Sequence, residues 1–283
     1  MSIVVNTNIQ SLFAQRALGK NTFNLQKSIE KLSTGSKINK AGDDAAGLGI
    51  SEKLTAQIRG LEKAQQNVGD GISMVQTAEG GLSIVHDNLQ RIRELVVQAK
   101  NGTNQAEEKT SIQKEISERV KTIDAVSSAT KFNGTGLLGS ASNTIKLQVG
   151  ANHADTLDVD FGKMHVSSSV ASAAGNINEN ASTLLSALDV TTATGTLDDI
   201  DAMIKNVSTM RSGLGAIQNS LESRQEFLGV AIENNSSSRS RVKDTDVAKE
   251  SSNMLKNQIL QQSAATMLSQ ANSTPQLALN LLP

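Results

Sequence analysis

The chain has no cysteine, no tryptophan and no tyrosine, and only five phenylalanines in 283 residues. Without cysteine there are no disulfides and no thiolate-bound metals. An aromatic content of 2% removes the side chains that dominate compact cores and recognition pockets, and favours thin helix-to-helix seams. Charge of one sign is also missing. Lys plus Arg is 27 and Asp plus Glu is 28, a net charge of -1, so no electrostatic footprint for nucleic acid or an anionic membrane exists. No apolar run approaches the ~18 residues that span a bilayer. The N-terminus has no Lys or Arg before Arg16, and Ile3-Val4-Val5 is too short for a signal-peptide core. On these absences alone the chain reads as cytosolic.

What is present is a seven-residue apolar step. From Leu54 it lands on Leu61, Val68, Val75, Leu82, Leu89 and Val96, and later on Ile200, Val207, Leu214, Leu221 and Leu228. Such a repeat keeps one stripe of a helix facing a neighbouring helix along its length. The stripe from Leu54 to Val96 alone implies roughly 65 Å of helix. These residues are expected to form subunit-packing seams, and a charge at Leu89 or Leu214 is expected to block polymerisation. Near the ends, Leu18, Leu25 and Leu32 step by seven, and a last helix carries Val247, Met254 and Leu268. These six are expected to form a terminal coiled coil, loose in a single chain and ordered among neighbours.

The pass along the chain predicts helices over about 44–99, 105–129, 197–234 and 246–271, with Asp43-Asp44 capping the first of these. Gly80-Gly81 marks a candidate kink, Ser236-Ser237-Ser238 a weak break and Pro275 a stop. Phe132-Asn133-Gly134 ends a helix. Alternation through Ile145, Leu147 and Val149, then Leu157, Val159 and Phe161, predicts a β-hairpin over about 144–161. The expected fold is mainly α: a long antiparallel coiled-coil-like bundle with N- and C-terminal helices paired and a small hairpin. No active site is expected. His86, His153 and His165 fall in no metal-binding spacing, and Gly47-Leu48-Gly49 lacks the strand and Gly-Lys-Ser/Thr of a phosphate loop. The chain is read as a non-enzyme with no cofactor and no metal.

Several motifs resemble those of bacterial flagellin. They are Leu32-Ser33-Thr34-Gly35-Ser36-Lys37-Ile38-Asn39, Ala41-Gly42-Asp43-Asp44-Ala45-Ala46-Gly47-Leu48, Gln76-Thr77-Ala78-Glu79-Gly80 and Leu89-Gln90-Arg91-Ile92-Arg93-Glu94-Leu95. Toward the C-terminus, Leu214-Gly215-Ala216-Ile217-Gln218-Asn219, Ser240-Arg241-Val242-Lys243-Asp244-Thr245-Asp246 and Gln270-Ala271-Asn272 continue the set. The resemblance covers roughly 1–140 and 197–283. It departs at the end, Leu281-Leu282-Pro283, where many family members carry an apolar pair plus Arg or Gly.

The resemblance implies an inner terminal coiled-coil domain of 1–43 and 243–283, a helical rod domain of 44–165 and 197–242, and a short variable outward-facing segment, 166–196. It implies a structural subunit of the extracellular flagellar filament, exported by the flagellar type III apparatus without a cleavable signal. This replaces the cytosolic reading. The implied partners are other copies of the chain, an export chaperone at the C-terminus, and the filament cap and hook-junction proteins. Recognition by the flagellin-sensing Toll-like receptor is implied too, at Gln90, Arg91, Leu95, Gln98 and Glu115. The alternatives are a hook–filament junction protein of the same axial family and a cytosolic coiled-coil interaction protein.

Overall fold

A computed structural model of the chain describes residues 7–138, 144–161 and 196–279. The start at Ile3-Val4-Val5, the segment expected to face outward up to residue 195, His165 before it, and Leu281-Leu282-Pro283 lie outside the described residues. Among the described residues, five helices and four strands follow in chain order: α1 Ile9–Thr34, α2 Ala45–Ala99, α3 Ala106–Ala129, β1 Lys131–Phe132, β2 Thr135–Gly136, β3 Thr144–Gln148, β4 Thr156–Asp160, α4 Thr196–Lys243 and α5 Val247–Leu279. The chain divides into two compact units. Unit 1 comprises Met1–Gln57 with Asn234–Pro283, and unit 2 comprises Ile58–Glu233.

Short polar side chains set the helix starts. Asn8 Oδ1 accepts from the Ser11 amide at 3.0 Å and opens α1. Asp44 Oδ1 accepts from the Gly47 amide at 2.9 Å and opens α2. Asp246 Oδ1 accepts from the Lys249 amide at 3.1 Å and opens α5. Each satisfies a donor that the first helical turn leaves unpaired. Gly35 closes α1 at φ 69°, a left-handed cap that costs glycine nothing.

Three expected interruptions are absent. α2 runs unbroken through Gly80-Gly81. A Cβ on Gly81 would stand 2.6 Å from Thr130 Oγ1 and 2.9 Å from Leu138 Cδ1, so this glycine makes room for a neighbour. α4 continues through Ser236-Ser237-Ser238 to Lys243. Serine is only mildly unfavourable in a helix, and the break falls at 244–246, where Asp246 caps the next helix. α5 passes Pro275 and ends at Leu279, so the proline removes one amide bond near the end without stopping the helix.

In unit 2, α2, α3 and α4 enclose one apolar core. Val68, Val75, Leu82, Leu89 and Val96 from α2 meet Ile112, Ile116 and Ile123 from α3, and Ile200, Val207, Leu214, Leu221 and Leu228 from α4. Polar pairs fix the registers. Glu79 Oε1 accepts from Arg211 Nη2 at 2.7 Å, and Arg93 grips Asp201 with two donors, which runs α2 and α4 antiparallel. Arg119 Nη1 donates to Asn88 Oδ1 at 3.1 Å between α3 and α2.

The step-seven residues expected at subunit-packing seams are placed by this core. Leu61 through Val96 and Ile200 through Leu228 are buried within one chain, because α3 and α4 fold back over α2. Leu54, outside that core, is half-buried in unit 1.

β3 and β4 form the expected antiparallel hairpin, pairing Ile145 with Val159 and Leu147 with Leu157. Asn67 Nδ2 donates to the Gln148 carbonyl at 3.0 Å and fastens the hairpin to α2. Val159 and Phe161 enter the core. A second, two-residue pairing of β1 with β2 occupies 131–136. Its turn residues Asn133 and Gly134 sit at φ 47° and 81°, the left-handed pair that a two-residue hairpin turn requires. The sequence reading placed only a helix end here.

Candidate functional site

Unit 1 pairs α1 with α5 in antiparallel fashion. Asn8 Nδ2 donates to the Ala271 carbonyl at 2.7 Å, Gln261 Nε2 to Thr22 Oγ1 at 2.9 Å, and Lys31 Nζ lies 4.0 Å from Glu250. The buried positions of this seam are small: Ala14 and Ser28 on α1, Ala264 and Ala271 on α5. Small side chains bring the two backbones close and leave the large ones at the flanks. Leu18, Leu25, Leu32, Met254 and Leu268 are half-buried there, and Val247, the first residue of α5, is 61% exposed. Val247, expected in the terminal coiled coil, thus lies outside the α1–α5 seam of the single chain. The step-seven series Ala14, Asn21, Ser28 and Asn257, Ala264, Ala271 was visible in the sequence, but a search for large apolar residues passes over it.

The consequence is an uncovered apolar surface. Ile9 and Phe13 are 72% and 71% exposed, with Leu12, Phe23 and Ile29 on the same helix also outward. On α5, Leu255, Ile259, Leu260 and Met267 are exposed. Between the helices lies a groove of about 670 Å³, lined by Ile9, Phe13, Ala14 and Ala17 from α1 and Leu260, Ala264, Met267 and Ala271 from α5. Gln10, Asn21, Ser263 and Gln270 supply its polar lining. No titratable group lines it, so its chemistry is apolar contact.

Where α1 gives way to α2 and α4 to α5, unit 1 is held tightly. The Lys37 amide donates to the Lys243 carbonyl at 2.7 Å and the Thr245 amide to the Gly35 carbonyl at 2.9 Å. Asp43 Oδ1 meets Lys27 Nζ at 2.7 Å, while its Oδ2 accepts from the Asn39 and Lys40 amides at 3.2 Å. The Lys27 hydrogen bond, then that of the Asn39 amide, lowers the Asp43 carboxyl to about 2. Lys40 pairs with Glu30 at 2.8 Å, which raises its ammonium above the usual lysine range. Ile38 is buried against Gly47, where a Cβ would stand 2.7 Å from Ile38 Cδ1.

The residues expected at a receptor contact divide. Gln90 is exposed, its Nε2 2.9 Å from His86 Nε2. Arg91 reaches Glu94 at 2.9 Å and Glu115 at 3.3 Å, and these carboxylates, Glu94 first, raise its guanidinium above the ordinary arginine range. Gln98 is exposed near the end of α2. Leu95, in contrast, is 2% exposed and sits in the unit 2 core. Its side chain packs in the helix core of this chain. It falls on the same face as Ile92, Val96 and Ala99, which the α2 periodicity turns inward.

Among the described residues, no group of three or more His, Cys, Asp or Glu could hold a metal ion. None of the described helices is long and apolar enough to cross a membrane.

Residues 5–144 match the bacterial flagellin N-terminal helical region, and residues 197–282 match the bacterial flagellin C-terminal helical region. A flagellin of Halalkalibacterium halodurans is 43% identical over 281 residues, covering 99% of this chain and 100% of its own length. A flagellin of Bacillus subtilis is 43% identical over 303 residues, covering 98% and 99%. A flagellar filament 33 kDa core protein of Treponema phagedenis is 40% identical over 290 residues, covering 99% and 100%. Both helical regions are matched in order, and relatives of equal extent align along the whole chain. The chain therefore belongs to the bacterial flagellin family.

Proposed function

We propose that this chain is a structural subunit that polymerises with copies of itself into the extracellular flagellar filament. The observation that carries the reading is the uncovered apolar surface of α1 and α5 in unit 1. Exposed apolar surface of this extent normally marks a contact with another molecule. A second copy fits because the family match includes both helices, and a relative of equal extent carries the name of a filament core protein. A head-to-tail contact whose rotation does not close generates an open helical polymer.

On this reading, 1–43 with 243–283 form the inner domain, 44–165 with 197–242 the surrounding rod domain, and 166–196 the outer segment. The subunit leaves the cell through the flagellar export apparatus, escorted by a chaperone at its C-terminus. It meets the hook-junction and cap proteins at the filament's two ends.

The test is seeded elongation followed by electron microscopy. The full chain extends short seeds into long uniform tubes. Phe13→Asp and Ile259→Asp, each on the exposed surface of unit 1, abolish elongation and leave the thermal transition of unit 2 unchanged. Wild-type tube length from both variants overturns the reading. A chain that caps seeds without extending them supports the hook–filament junction role, and retention inside cells supports a cytosolic interaction protein.

Recognition by the flagellin-sensing Toll-like receptor belongs to the same reading. It is favoured by the side-by-side placement of Gln90, Arg91 and Glu115 on the outer faces of α2 and α3. Arg91→Ala is expected to weaken receptor activation by roughly tenfold in a reporter-cell titration, within the range of a moderate interface residue. An unchanged half-maximal dose removes this surface from the receptor contact.

A further inference from the structure

The groove of unit 1 contains one sulfur. Among the described methionines, Met74, Met203 and Met210 are buried in the unit 2 core, and Met254 is half-buried on α5. Met267 is 66% exposed and shares the groove with Phe13 and Leu260. A thioether is the most readily oxidised side chain in a protein without cysteine. The accessibility of its sulfur decides how fast it reacts. The chain therefore presents an oxidisable atom in the middle of an apolar surface, while burial shields the core methionines.

We infer that Met267 is an oxidation site through which peroxide controls assembly. The inference rests on the filament reading given above. A peroxide oxygen transfers to Met267 Sδ, the O–O bond breaks, and the other oxygen leaves as water. The thioether loses two electrons to become a sulfoxide, and the peroxide is reduced by the same two. The product is a polar, chiral group in place of a flexible apolar one. Inside a groove with Phe13, Ala17, Leu260 and Ala264, the S=O acceptor loses water when a second copy covers it, and the apolar contact of the thioether is lost even where Gln10, Asn21, Ser263 or Gln270 donates to the oxygen. The oxidised subunit is excluded from the polymer. In the assembled state the neighbouring copy covers the sulfur, so free subunits are sensitive and filaments are protected.

The test uses the full chain, limited treatment with hydrogen peroxide, peptide mapping by mass spectrometry and seeded elongation. Met267 is expected to convert before Met254 and the three core methionines. The critical concentration for elongation should rise about tenfold or more, the change that roughly 1.4 kcal/mol produces. Met267→Leu keeps volume and helix propensity and has no sulfur at this position, so peroxide should leave its critical concentration at that variant's own untreated value. Met267 in preformed filaments should oxidise about tenfold more slowly than in free subunits, a protection expected if cover by a second copy costs roughly 1.4 kcal/mol to open. Unchanged elongation of a chain carrying Met267 fully as sulfoxide overturns the inference. So does equal loss in the Met267→Leu chain, or oxidation of Met267 no faster than the core methionines. An untreated chain that does not elongate sinks the filament reading and the control with it, while the peptide map still decides the oxidation site.

Discussion

Asp43 and Asp44 are neighbours of identical chemistry with separate roles. Asp44 caps α2, as its place before a helical run suggested. Asp43 turns the other way, gathers two backbone amides of the preceding loop and pairs with Lys27 of α1. The first role was legible because a cap acts within four residues. The second was not, because it depends on α1 packing beside the loop. Asp43 also gives a signed pH dependence. Its folded carboxyl is lowered to about 2 from the ordinary 3.8, so the ionised form is the one the fold favours. The resulting stability is fully present above the unfolded value and is lost as pH falls through the folded value. The gap in melting temperature between wild type and Asp43→Asn should hold steady from neutral pH to about 4. It should then shrink as pH falls through the folded value and vanish only below about 2. A gap of the same size at the lowest pH would show that the Asp43 carboxylate does not stabilise the loop.

At the level of single elements, periodicity told more about α2 than its glycines did. The step of seven located the core stripe but not what covers it; burial against α3 and α4 depends on chain reversal, which a repeat does not encode. Leu214→Asp is accordingly a stability variant. An unpaired carboxylate at this fully buried position should cost unit 2 at least about 3 kcal/mol, read as a lowered denaturation midpoint by circular dichroism, with any assembly defect following from unfolding. The α2 glycines separate by surroundings. Gly69 has nothing within 4 Å of a built Cβ, whereas at Gly60 that atom would lie 2.9 Å from Ala151 Cβ and 3.3 Å from Ala151 Cα. Gly69→Ala should stabilise unit 2 by up to ~1 kcal/mol through helix propensity. Gly60→Ala should push the hairpin turn outward, and hydrogen exchange at the Val149 amide, bonded to Asp155, should speed up. Equal stabilisation by both would mean that the turn yields freely.

For the whole molecule, the pairing of terminal helices and the presence of one hairpin were legible, since the two apolar patterns lie at opposite ends of the chain and alternate differently from the strands. The boundary between the units at 57/58 and 233/234 was not legible, because α2 and α4 continue through it without a break in sequence pattern. All buried members of the unit 2 core fall between residues 61 and 228. A chain trimmed to 58–233 should therefore unfold cooperatively in urea and fail to extend seeds; a trimmed chain without a cooperative transition would show that unit 2 depends on unit 1. Sequence distance then sets the order of events in time. The bonds joining α1 to α5 link residues 263, 261 and 239 positions apart, so α1 leaves the ribosome long before its partner exists. Closing so long a loop carries an entropic cost that only the last-made helix can offset. Unit 1 consequently forms only once α5 has been made, and a nascent chain stays without it until that helix is free.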